Sequence, residues 1–150
     1  MKPTPPVGTI AAAVVVLIAS FLPWGSFAGS AGGGFFGGMR VTFTMNAWNG
    51  TVGLMDMPVP HWLAVVVAVA IAVIAALKAY DVWVAHPAVN VLLACYGVLH
   101  LGLTVLLLGA RGSVGVGSIV TLACFIALLV LAVKAMKQGS PSDGVVAGGT

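Results

Sequence analysis

The residue best placed for chemistry is His100, a lone imidazole in the middle of an apolar stretch, where an ionisable group is a functional suspect by default. Tyr96, His100 and Thr104 recur at i, i+4 and i+8, a spacing that sets them on one face of a helix. At about 1.5 Å per residue, an antiparallel neighbour brings Thr121 and Cys124 to the depth of His100. A neutral imidazole bonded to Thr121 or to a backbone carbonyl is the favoured reading, and it is a structural one. A proton relay needs a carboxylate or a second histidine nearby. Neither is expected inside the apolar stretches, because His61 reads as an interface residue.

Other candidates are weaker still. Met55-Asp56-Met57 and His61, with Met39 and Met45, offer soft sulfur and imidazole to copper. The spacing matches no tight motif, so apolar packing of the loop is preferred. Cys95 and Cys124 sit inside apolar stretches without a CxxC, which reads as buried small hydrophobes and not as disulfide exchange. Ser118 with His100 as base would need a shaped water cavity and more helices to work as an intramembrane protease. The chain has no glutamate, which removes the membrane carboxylate that small multidrug exporters depend on. No catalytic, cofactor-binding or metal-ligating set emerges, and a non-enzyme is expected.

The elements that must position these residues are unusually apolar. Hydrophobic residues make up 61% of the 150 residues and charged ones 6%. All nine charged residues fall outside four stretches, Val7–Pro23, Pro60–Leu77, Ala88–Gly109 and Val114–Val133. Each is about 17–22 residues, long enough to cross a hydrocarbon layer of about 30 Å as a helix. An all-α membrane protein is expected, a four-helix transmembrane bundle. Residues 1–137 form one four-span domain, and residues 138–150 a disordered cytoplasmic tail of Gly, Ser and Pro character.

Orientation follows from charge. Lys2, Lys78, Lys134 and Lys137 fall on one side of a chain that crosses four times, and Arg40 and Arg111 on the other. The positive-inside bias then puts both termini in the cytoplasm, in a bacterial inner membrane judging by the Ala/Val/Gly character. A rival reads Lys2, Ala11–Ala19 and Ser26-Phe27-Ala28 as a secretory signal cut after Ala28. The length of the first stretch and its Pro23-Trp24 exit favour a retained span. No basic cluster with interleaved aromatics is present, so nucleic acid is not an expected partner.

Residues 25–59 form the outer loop, which opens with a glycine-rich run from Gly29 to Gly38. Arg40 to Met45 alternates as a half-buried strand. Asn49-Gly50 suits a turn and Thr51–Leu54 a second strand, so a small extracytoplasmic β-hairpin or sheet cap is expected. Trp24, Arg40, Trp48 and Asp56 are the candidates for cap geometry and recognition, with an Arg40–Asp56 pair across the loop. Ala64, Ala68, Ala72 and Ala76 recur every fourth residue, a stripe that permits close helix approach. Internal packing is the plainer reading of that stripe, and a homo-oligomer or membrane-partner seam the alternative.

Leu22-Pro23-Trp24 and Trp48-Asn49-Gly50 give a layout that resembles the claudin-type four-helix proteins, although this loop carries no cysteine. With Gly115-Val116-Gly117 opening the fourth stretch, the chain more closely resembles uncharacterised bacterial four-span proteins whose first helix exits through Leu-Pro-Trp. That resemblance implies four helices and an outer loop, and no activity. The expected function is a non-catalytic interaction or structural component of the membrane. The alternative is a small transporter or channel subunit with His100 and Thr121 lining a path.

Overall fold

Apolar stretches become helices, and the glycine-rich loop becomes sheet. The computed structural model describes residues 6–31, 39–54, 57–80, 82, 86 and 88–138. Among these residues the chain forms four helices, α1 (Val7–Ala19), α2 (Trp62–Ala79), α3 (Ala88–Arg111) and α4 (Val116–Gln138), and five short strands. The strands are β1 (Gly25–Ala31), β2 (Met39–Met45), β3 (Thr51–Leu54), β4 (Met57–Pro60) and β5 (Ser113–Val114). Helices α2, α3 and α4 are long and apolar enough to cross a membrane. Helix α1 has 13 residues, about 20 Å. It stops before the expected Pro23 because the Ser20 hydroxyl takes the Leu17 carbonyl at 2.6 Å, and Phe21 and Leu22 close tighter turns onto Ile18 and Ala19. Helix α4 runs on to Gln138, and residues 139–150 lie outside the described residues.

The helices close into a ring in which α1 packs on α2 and α4, and α3 packs on α2 and α4. They alternate in direction, so that Pro6, Lys78, Asn90 and Ala135 gather at one end. The sheet covers the other. Val16, Ile71, Leu101, Phe125 and Leu128 fill the centre. Phe125 gets there because α3 offers Gly97 beneath its ring, where a Cβ would overlap it. Outward positions such as Val66, Val73, Leu92, Leu99, Leu106, Ile119 and Ile126 are equally apolar and exposed. Helices that are apolar all round suit contact with lipid. Ala64 and Ala68 are fully buried, while Ala72 and Ala76 line an open groove against Ile10, Val14 and Leu17 of α1. The first half of the stripe thus packs inside the bundle, and the second half faces the open groove between α1 and α2. On α4, Ala123 and Ala127 are exposed.

The strand pairing departs from the expected hairpin. β2 is where the alternation puts it, but its antiparallel partner is β1, with Gly25 opposite Met45 and Ala31 opposite Met39. β5 joins the other edge of β1. Thr51–Leu54 pairs instead with β4, a two-stranded ladder that tolerates Pro58 and Pro60. The Asn49-Gly50 step fails as a hairpin turn because the loop there is tied down to the bundle. The Ala47 amide donates to the Ser20 carbonyl, and the His61 amide to Gly50. Residues 32–38, the remainder of the glycine run, lie outside the described residues.

One junction ties sheet to bundle. The Trp24 amide donates to Met45 at 2.7 Å, and its carbonyl accepts from the Gly115 amide at 2.8 Å. The Gly117 amide reaches the Pro23 carbonyl at 2.9 Å, and the Ser118 hydroxyl lies 2.9 Å from the Trp24 carbonyl. The indole is fully buried, with Nε1 donating to Ala19 at 3.0 Å. Only glycine fits opposite. A Cβ at Gly115 would run into the Pro23 carbonyl, and one at Gly117 would stand 2.5 Å from the indole.

Glycine-to-alanine variants separate these roles. Gly117→Ala should lower stability by about 1–3 kcal/mol through overpacking. Gly102→Ala, on the same bundle with nothing within 4 Å of the added carbon, should raise it by up to about 1 kcal/mol through helix propensity. Unfolding of the purified protein in mixed micelles, followed by far-UV circular dichroism, reads both; equal effects would mean that the junction is loose.

Candidate functional site

Beneath the sheet two histidines meet. His61 stands at the turn between β4 and α2: its amide is held by the Gly50 carbonyl, and its own carbonyl accepts from the Ala64 amide. This turn drives the ring inward, leaving it 1% exposed. His100, in the middle of α3, is 7% exposed. His61 Nδ1 and His100 Nε2 lie 3.2 Å apart, a hydrogen bond whose direction depends on the tautomers, with the rings edge-on at 75°. The Trp24 indole covers His61 at a centroid distance of 5.2 Å, and Tyr96 stacks on His100 at 5.7 Å and 24°. Gly50 supplies the remaining wall, where a Cβ would come within 2.5 Å of the His61 ring.

The expected partner of His100 is not the one found. The Thr121 hydroxyl donates to the Gly117 carbonyl four residues back at 2.7 Å, and Thr104 does the same to the carbonyl of His100 at 2.8 Å. Neither therefore reaches the imidazole. His61 takes that place, the second histidine that a relay would require. Its position between Pro60 and Trp62 resembles an interface anchor, which conceals it in the sequence. The readable signal is Gly50, the one side-chain-free residue of a turn that faces the ring.

A hydrogen bond between two imidazoles needs one N–H and one lone pair, so the bonded pair carries at most one positive charge. Burial makes an unpaired charge costly there, and no carboxylate lies among the described residues. His61 Nε2 and Tyr96 Oη are buried without a hydrogen-bond partner among the described residues. Two ring nitrogens fall short of a metal set, and no group of three or more His, Cys, Asp or Glu forms among the described residues. For the copper candidates, Met55 and Asp56 lie outside the described residues, and His61 has turned away from the loop surface. Cys95 and Cys124 are free and half-buried.

The cap candidates separate. Trp24 is core, not a surface anchor. Arg40 sits in β2 opposite Ser30; the proposed Arg40–Asp56 pair falls outside the described residues. Trp48 is 48% exposed and Phe21 66%, with ring centroids 5.8 Å apart. Trp48 is tethered by hydrogen bonds. Trp48 Nε1 donates to the Ser20 hydroxyl at 3.1 Å, and Asn46 Oδ1 accepts from the Trp48 and Asn49 amides. Asn49 Oδ1 in turn accepts from the Asn46 amide at 2.7 Å.

The histidine contact predicts non-additivity. His100→Ala strands His61 Nδ1 in a buried site, a cost of about 1–3 kcal/mol. Adding His61→Ala should then cost less than it does alone, with a coupling of about 0.5–3 kcal/mol. A cycle of His100→Ala with Thr121→Val should be additive to within about 0.5 kcal/mol. Unfolding in mixed micelles measures both cycles, and strong coupling to Thr121 in place of His61 would refute the pairing.

Set against family models, curated proteins and solved structures, the chain matches none.

Proposed function

We propose that this chain is a multi-pass membrane protein of the uncharacterised four-span kind with a Leu-Pro-Trp exit, acting as a non-catalytic interaction or structural component. All four helices cross, the sheet lies outside, and both termini lie in the cytoplasm of a bacterial cell. What supports the sidedness is charge: Lys78, Lys134 and Lys137 stand at the end away from the sheet, and Arg111 closes α3 beside it. With the turn through Leu22, the first segment reaches about 24 Å, short enough that the bilayer must thin locally around α1. The resemblance gains a physical basis, since its two short motifs, Leu-Pro-Trp and Gly-x-Gly, are the two halves of the Trp24 junction.

The observation that carries an interaction role is the exposed Phe21–Trp48 pair. Large aromatics on a preorganised loop are how interfaces obtain their anchors, because little side-chain freedom is lost on contact. The apolar flanks of α2, α3 and α4 supply the helix faces through which a membrane partner or second copy would pack. A photo-reactive benzoylphenylalanine at position 48, irradiated in cells, should yield one discrete protein adduct. That adduct should weaken several-fold when Asn46→Ala releases the turn. Adducts to lipid alone would make Trp48 an interface anchor and end the recognition reading.

One observation favours a second reading, a small transporter or channel subunit with His100 on its path: the contact of His61 with His100 supplies a donor and an acceptor for a proton. On that reading His61→Gln and His100→Gln, both retaining a polar group, abolish proton flux into dye-loaded proteoliposomes while folding persists. Unchanged flux in both would dismiss it.

A further inference from the structure

The end of the bundle away from the sheet holds a cavity of about 300 Å³ that opens between all four helices. Its inner wall is apolar, Ile71 and Leu128 lying seven residues deeper than Lys78 and Ala135, about 10 Å along the helix axes. Three polar side chains line it: Thr9 of α1 and, at one level of the mouth, the exposed Lys78 at the end of α2 and Asn90 in the first turn of α3. Asn90 Oδ1 is buried without a hydrogen-bond partner among the described residues, a state that native structures rarely tolerate without a ligand or water to answer it. Apolar depth, an unanswered acceptor and a cation at the rim are the three contacts that an amphiphile with an acidic, hydroxyl-bearing head would use.

We propose that this cavity binds one anionic glycerolipid of the phosphatidylglycerol class, with part of an acyl chain between Ile71 and Leu128, its phosphate at Lys78 and a headgroup hydroxyl donating to Asn90 Oδ1. The inference rests on the membrane-spanning reading above, which places this end at the cytoplasmic leaflet. The site is independent of the histidine pair and of the aromatic platform, which lie at the opposite end. It makes the protein selective for one lipid class in its surroundings, and not merely soluble in lipid.

The test titrates the detergent-purified full chain with phosphatidylglycerol or phosphatidylcholine and counts retained lipid by native mass spectrometry. Expected is one phosphatidylglycerol per protomer, held at least tenfold more tightly than phosphatidylcholine, and no competition from glycerol phosphate lacking acyl chains. Asn90→Leu should weaken retention about fivefold and Lys78→Gln about threefold, the sizes expected of a neutral hydrogen bond and a half-exposed ion pair. Ala135→Trp, at the exposed rim, should plug the mouth and abolish retention of both lipids. Equal retention of the two lipids overturns the proposal, as does retention indifferent to Asn90→Leu and Ala135→Trp. So does glycerol phosphate binding as well as the lipid. Release of the protein from membranes by alkaline carbonate would refute the membrane reading itself. Firm retention in membranes without lipid preference would sink only the cavity's role.

Discussion

Everything at the sheet end hangs from the backbone of Pro23 and Trp24. A chain leaving a helix must find partners for its exposed amides and carbonyls, and in an apolar setting water is not available to supply them. Here the start of α4 provides them. The Gly115 and Gly117 amides, themselves unpaired donors of a helix N-terminus, turn toward the Pro23 and Trp24 carbonyls. The two unsatisfied ends therefore satisfy each other. The indole fills the space that two glycines leave open. Trp24 also takes the Met45 carbonyl, so the same residue sets the register of the sheet. Without this exchange β1 would have no fixed origin, and the Gly25 opposite Met45 register would lose its anchor.

The histidine pair depends on the same residue. The Trp24 indole and Gly50 both stand against the His61 ring, and its Nδ1 meets His100 of α3. His61 thus reports the position of the cap to the centre of the bundle: its amide is bonded to the loop, and its imidazole to His100. Loop, β4, α2 and α3 are joined within one residue. Such a contact is a costly way to hold a fold in an apolar interior, where a pair of well-packed hydrophobes would serve as well. What it supplies in exchange is directionality, which hydrophobes lack.

How much of this could be read from residues alone varies with the kind of physics involved. The helices were legible because apolar runs of that length admit few other structures, and α2, α3 and α4 fall within two or three residues of the expected bounds outside the far end of α4. The alternation from Arg40 to Met45 revealed β2 because a period of two residues is the signature of a strand. Its partner was illegible. β1 is built from Gly25-Ser26-Phe27-Ala28-Gly29, a sequence of low strand propensity that pairs only because the Trp24 junction delivers it there. Gly25 lies close against the Leu108 side chain, a contact set by α3 and invisible to local pattern. The site fared likewise. His100 stands out by depth, but its partner is 39 residues away behind a proline that mimics an interface entry, and Thr121 is drawn off by a carbonyl of its own helix.

The two ends of the bundle are therefore built on opposite principles. At the sheet end, backbone groups, an indole and two imidazoles answer one another, and an exposed aromatic pair stands on the surface. At the far end the described residues leave an opening between the four helices, with Lys78 at its rim and an asparagine oxygen that has no hydrogen-bond partner among them. A closed end offers shape, which is what a protein partner recognises; an open end offers volume and an acceptor, which suits a small amphiphile. Between them lies the core packed around Phe125 and Leu101, both fully buried, which holds the two ends apart.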